Sequence, residues 1–141
     1  KGEGIAADTN YIYIAIDTGN KGLVVVGTTV AGVASTGTFT SSVGDTGSTD
    51  TRYNYIEWDY TPVPGSTVQL QIKTAATEAG LTTATWVGSD GTNATYYTTS
   101  RTQIVVDPSA SGVRYFQFAI FIASDGVSTP QIESVRINYT P

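Results

Sequence analysis

The feature that most constrains this chain is a two-residue rhythm. Over residues 67–73, Val68, Leu70 and Ile72 alternate with Gln69, Gln71 and Lys73, and comparable alternation recurs over residues 11–16, 53–60 and 114–123. Successive side chains of a strand point to opposite faces, so this rhythm specifies β-strands with one face toward a core. The runs are rich in β-branched and aromatic residues and are bounded by Gly, Asp, Asn, Ser and Pro, which supply turns. No segment carries a strong helical period. Residues 75–84 stay unassigned between a short helix and a loop, because their threonines and Gly80 disfavour a helix.

Placed along the chain, the runs make a succession of short antiparallel strands. YIYIAI over residues 11–16 and LVVVG from Leu23, joined by the turn DTGNKG, read as a hairpin. A Gly/Thr/Ser-rich tract over residues 28–50 follows, with one short strand expected around Phe39. In residues 53–60 the pattern places Asn54, Ile56, Trp58 and Tyr60 on one face and Tyr53, Tyr55, Glu57 and Asp59 on the other. Short strands are also expected at residues 96–98 and 103–106. The run RYFQFAIFIA is apolar on both faces toward its end, which marks a central strand. The last strand carries Ile132, Val135, Ile137 and Tyr139, with a bulge expected near Ser134. The expected fold is an all-β antiparallel sandwich of jelly-roll type over residues 31–141, preceded by an N-terminal hairpin or extension over residues 1–30.

Composition narrows the chemistry. The 141 residues include no cysteine and no histidine, which removes thiolate nucleophiles, Ser-His-Asp relays and the usual zinc sites together. The net charge is -5 and the seven Lys and Arg are scattered, so no basic patch for nucleic acid is expected. No apolar stretch approaches the roughly 20 residues needed to span a bilayer, and membrane insertion is not expected. The sequence has no methionine, which leads to the expectation of a processed or excised piece of a longer polypeptide.

The candidate sites are few. Tyr96 and Tyr97, with Trp86 nearby, are the candidate sugar-stacking residues, since an exposed aromatic ring offers a flat apolar face beside a polar tip. Adjacent strand residues face opposite ways, so only one of the two tyrosines can serve a given surface, and core or edge packing is the competing reading. The loop over residues 89–93 offers Asp90 and Asn93 as oxygen ligands, which makes calcium the one cofactor left open. Against it stands a plain Asp-Gly turn, an ambiguity shared by Asp45 and by Asp125-Gly126. Glu57 and Asp59 are the one suggestive carboxylate pair for glycoside chemistry, read otherwise as solvent-facing strand residues. Lys73 lacks the motif that would make it a base for a serine. The chain is therefore expected not to be an enzyme. Asn93 and Asn138 also begin N-x-T sequons.

Two resemblances extend this reading. The order GTFTS, IEWDY, VQLQIKT, ATWVGSDGT, YY, RYFQFAIFIASDG and TPQIESVRINY, over residues 37–141, resembles a module of bacterial extracellular proteins similar to galactose-binding-like jelly rolls. GIAADTNYIYIAIDTGNKGLVVV, over residues 4–26, resembles one hairpin of a β-propeller blade of the NHL or LVIVD kind. That segment either belongs to a longer parent or adds strands to the sandwich. The first resemblance implies an extracellular or cell-surface location and two functions. One is a structural or adhesive module of an assembly such as a surface appendage, filament or virion decoration. Its partners would be other protein subunits, and its N-terminal strands could join copies into a homo-oligomer. The alternative is a carbohydrate-binding module for cell-surface glycans.

Overall fold

The computed structural model describes three N-terminal strands through their backbone and residues 34–141 throughout. The N-terminal strands are β1 (Ile5–Ala7), β2 (Tyr11–Ile16) and β3 (Gly22–Gly27). Then come β4 (Thr36–Thr40), β5 (Gly44–Asp45), β6 (Arg52–Thr61), β7 (Thr67–Ala75), β8 (Thr102–Gln103), β9 (Tyr115–Ala123) and β10 (Gln131–Thr140). One turn of 3-10 helix, Ala79–Thr82, occupies part of the segment left unassigned from sequence.

The antiparallel β-sandwich expected from the alternation is present. One sheet has the order β10-β6-β8. The other centres on β9, which pairs with β4 and β5 along one edge and with β7 along the other. This central place explains the apolar character of β9 on both faces. Ile56 and Trp58 of β6 meet Leu70 and Ile72 of β7 and Ile120 of β9 between the sheets, with Tyr97 among them. The 86–97 segment borders the far edge of β7 through two isolated bridges, Ile72 with Val87 and Leu70 with Tyr97.

Two strands depart from simple alternation. On β6, Tyr53 is buried rather than on the solvent face, because the register with β10 slips between Asn138 and Tyr139, leaving Asn54 as the extra residue. One inserted residue reverses which face every preceding side chain occupies. The second bulge falls between Ile132 and Ser134, where the sequence led us to expect one.

The polar face of β7 is also covered. Gln71 and Lys73 are buried along with Val68, Leu70 and Ile72. Gln71 donates its amide to the carbonyl of Thr95 at 2.7 Å, and Lys73 donates its ammonium to the carbonyl of Leu81 at 2.6 Å. The 76–98 segment thus folds back over β7 and satisfies Gln71 and Lys73 from backbone carbonyls, as buried donors require.

The hairpin of β2 and β3 has the register Tyr11 with Gly27 through Ile16 with Gly22, and β1 adds a third antiparallel strand along β2. The DTGNK turn and residues 28–33 of the Gly/Thr/Ser-rich tract lie outside the described residues. Among the described residues no helix is long and apolar enough to cross a membrane.

Candidate functional site

The residues selected from sequence divide according to which way their strands turn them. Tyr97 is wholly buried. Its hydroxyl accepts the amide of Val105 at 3.2 Å, and burial pushes its pKa up. Tyr97 is therefore core, and it cannot offer a ring to a glycan. Tyr96 faces the opposite way and lies edge-on to Phe121, with ring centroids 5.2 Å apart and planes at 83°. Trp86 is half-buried, with the Lys73 ammonium 4.5 Å from its ring centroid, and burial pulls the Lys73 pKa down. Tyr96 and Trp86 thus share the outer side of the β7/β9 sheet, where the bridges place Tyr96 beside Gln71 and Trp86 beside Lys73.

The loop over residues 89–93 is a self-contained turn. Asp90 Oδ1 accepts three bonds from its own loop: the amide of Thr92 at 2.8 Å, the Thr92 hydroxyl at 2.8 Å and the Thr95 hydroxyl at 2.6 Å. These donors, Thr95 first, hold its pKa below the usual carboxylate value. Gly91 has φ +79°, a conformation that side chains disfavour, and a Cβ at Gly88 would clash with the carbonyl of Thr95. Asn93 is exposed, and its backbone carbonyl accepts from Gln71 at 3.4 Å. The geometry corresponds to the Asp-Gly turn, with Asp90 spent on holding it closed. Among the described residues no three His, Cys, Asp or Glu side chains gather as they would around a metal ion.

Glu57 and Asp59 are tied to one arginine. Arg136 donates Nε to Glu57 at 2.6 Å and an Nη2 to Asp59 at 2.7 Å, and Ser134 adds a bond to Asp59 at 3.0 Å. Arg136 chiefly, with Ser134, holds the Asp59 pKa down. A general acid needs the opposite shift, so Asp59 in this cross-strand ion-pair cluster lacks that property. Asp45 is clamped by both nitrogens of the Arg114 fork, at 2.9 and 3.0 Å, which lowers its pKa to about 2.

One apolar cleft was not among the sequence candidates. The smaller sheet ends at β10, and beyond it Phe39 of β4 stays exposed among the described residues. Phe39, Phe118, Ile120 and Ile122 face Ile132 and Val135 across a cleft of about 360 Å³. Phe39 is 55% exposed although its strand partner Ile120 is buried. Its ring rests on Phe118 at 6.4 Å. The one sequence signal was a lone Phe within a Gly/Thr/Ser tract. No family model, curated protein or solved structure matches the chain.

Proposed function

We propose that this chain is a non-catalytic structural or adhesive module of an extracellular assembly, joined to its neighbours by β-strand addition. The observation that carries the reading is the uncovered edge at β4. Thr36–Thr40 is exposed throughout, and its sequence TGTFT holds no charge and no proline. No strand pairs with its outer edge among the described residues. Natural sheets guard free edges with charges, prolines or bulges. The neighbouring edge strand β10 has such guards in Glu133, Arg136 and two register shifts, whereas β4 has none. An added strand would extend the larger sheet, and its alternate side chains would close the mouth of the apolar cleft.

The proposed donor is β3 of a neighbouring copy, GLVVVG, which contains no charged residue and whose outer edge pairs with no strand among the described residues. Light scattering on the intact chain and on a version lacking residues 1–30 tests this. An oligomer that disappears on deletion, with the sandwich still folded by circular dichroism, supports the reading. Unchanged assembly removes strand exchange.

A glycan-binding reading is favoured by one arrangement, the shared outward placement of Trp86 and Tyr96 with Phe121. It requires saturable glycan binding that is lost in Trp86→Ala and Tyr96→Ala. An empty glycan screen removes it.

A further inference from the structure

Thr74 is buried to 2% exposure, and among the described residues nothing hydrogen-bonds to its hydroxyl. A buried polar group left in that state costs on the order of 1–3 kcal/mol, so its surroundings bear on what satisfies it. Those surroundings are a pocket of about 230 Å³ between the end of β7, the residues that follow the 3-10 turn and the turn over residues 107–111. Its polar side chains are Thr74, Thr83, Thr85, Asp107, Ser109 and Ser111, all oxygen-bearing. Among the described residues no lysine or arginine lines it.

Asp107 supplies the charge. Its Oδ1 accepts the amide of Ser109 at 2.8 Å and the Ser109 hydroxyl at 2.7 Å. These bonds, with a smaller contribution from the Thr85 hydroxyl, hold the carboxyl ionised below its usual pKa. Among the described residues no cationic side chain pairs with Asp107. An unneutralised carboxylate in a small pocket lined by hydroxyl-bearing residues, Thr74 with its orphaned hydroxyl among them, is a donor set for a hard cation.

We propose that this pocket binds a divalent cation of the calcium type, with Asp107 and Thr74 among its ligands. Irregular oxygen donors suit calcium, which accepts six to eight ligands in flexible geometry, better than magnesium, which demands a near-ideal octahedron. With a single carboxylate, the affinity belongs in the weak class of extracellular modules, roughly 10⁻⁴–10⁻³ M. The site is separate from the cleft at β4 and does not depend on the assembly reading.

The test is thermal unfolding and calorimetry of the full chain titrated with calcium chloride, with magnesium chloride at matched ionic strength as control. A saturable, calcium-selective rise in Tm is expected in the wild type and in Asp90→Asn. In Asp107→Asn and Thr74→Val, calcium binding should weaken by about tenfold or more, the loss expected from removing a charged or direct ligand. Thr74→Val keeps the shape of the side chain, so it reads ligation even if Asp107→Asn loosens its turn. No selective effect in the wild type overturns the proposal. An unchanged calcium response in Thr74→Val also overturns it, and then a bound water satisfies the hydroxyl.

Discussion

Leu70 and Tyr97 exchange both of their backbone hydrogen bonds, at 3.0 and 2.9 Å, and this single antiparallel bridge sends the Tyr97 ring into the core. Leu70 sits beside it, and both are fully buried. Truncation to Tyr97→Ala should cost about 3–5 kcal/mol, the range for large aromatic core residues. Tyr97→Phe removes only the contact with Val105 and should cost about 1 kcal/mol. Urea unfolding monitored by circular dichroism measures both. A Tyr97→Ala cost below about 1 kcal/mol would mean that the ring is not core.

The clamp of Arg114 on Asp45 should appear in acid. The folded-state pKa is lowered from 3.8 to about 2, so the stabilising contribution is present above the unfolded value and is lost as pH falls through that window. The Asp45 carboxyl, followed by NMR, should titrate near 2 in the wild type and return toward 3.8 in Arg114→Gln. Acid unfolding of that variant should begin at a higher pH. A titration unaffected by Arg114→Gln would contradict the clamp.

Lys73 should act at the other end of the pH scale. Burial lowers its pKa from 10.5, so the folded chain holds this proton less tightly than the unfolded chain. Stability contributed by the site therefore rises with pH as the folded group loses its proton and levels off above the unfolded value. Lys73→Met keeps an apolar stem against Trp86 and removes the charge, which should abolish that rise. The buried tyrosines Tyr53 and Tyr97 have raised pKa values and push the opposite way above 10, so the comparison belongs below that pH. Unfolding midpoints of the two proteins that stay parallel as the pH rises toward about 10 would count against a perturbed lysine.

The strands were legible in the sequence because period two survives wherever a strand has one face in a core, as Val68, Leu70 and Ile72 do. What the rhythm cannot carry is an inserted residue. Asn54 looks like any other strand residue, yet as a bulge it puts Tyr53 inside, on the same side as Ile56. Nor does the rhythm say what lies over a polar face. Lys73 and Gln71 read as solvent-facing because their cover comes from a segment without alternation, held by carbonyls of Leu81, Asn93 and Thr95. The pairing of Tyr96 with Tyr97 was half-legible: opposite directions follow from the strand, but the inward member is chosen by a bridge to Leu70 that no local pattern encodes. The apolar cleft needed the third dimension, since Phe39 and Ile132 come together only where one sheet stops short of the other.

The cleft carries the last prediction. Thr38 pairs with Phe121 on β9 and is exposed, so a charge there can be solvated without disturbing the core. Thr38→Lys supplies β4 with the guard it lacks, and it should leave the unfolding midpoint within about 0.5 kcal/mol of the wild type. Phe39→Ser removes the aromatic that an added strand would cover, and being 55% exposed it should also be tolerated by the fold. If β4 receives a neighbour's strand, both variants should shift light-scattering mass toward the monomer while circular dichroism stays unchanged. If the mass of Thr38→Lys equals that of the wild type at every concentration, strand addition at β4 does not build the assembly.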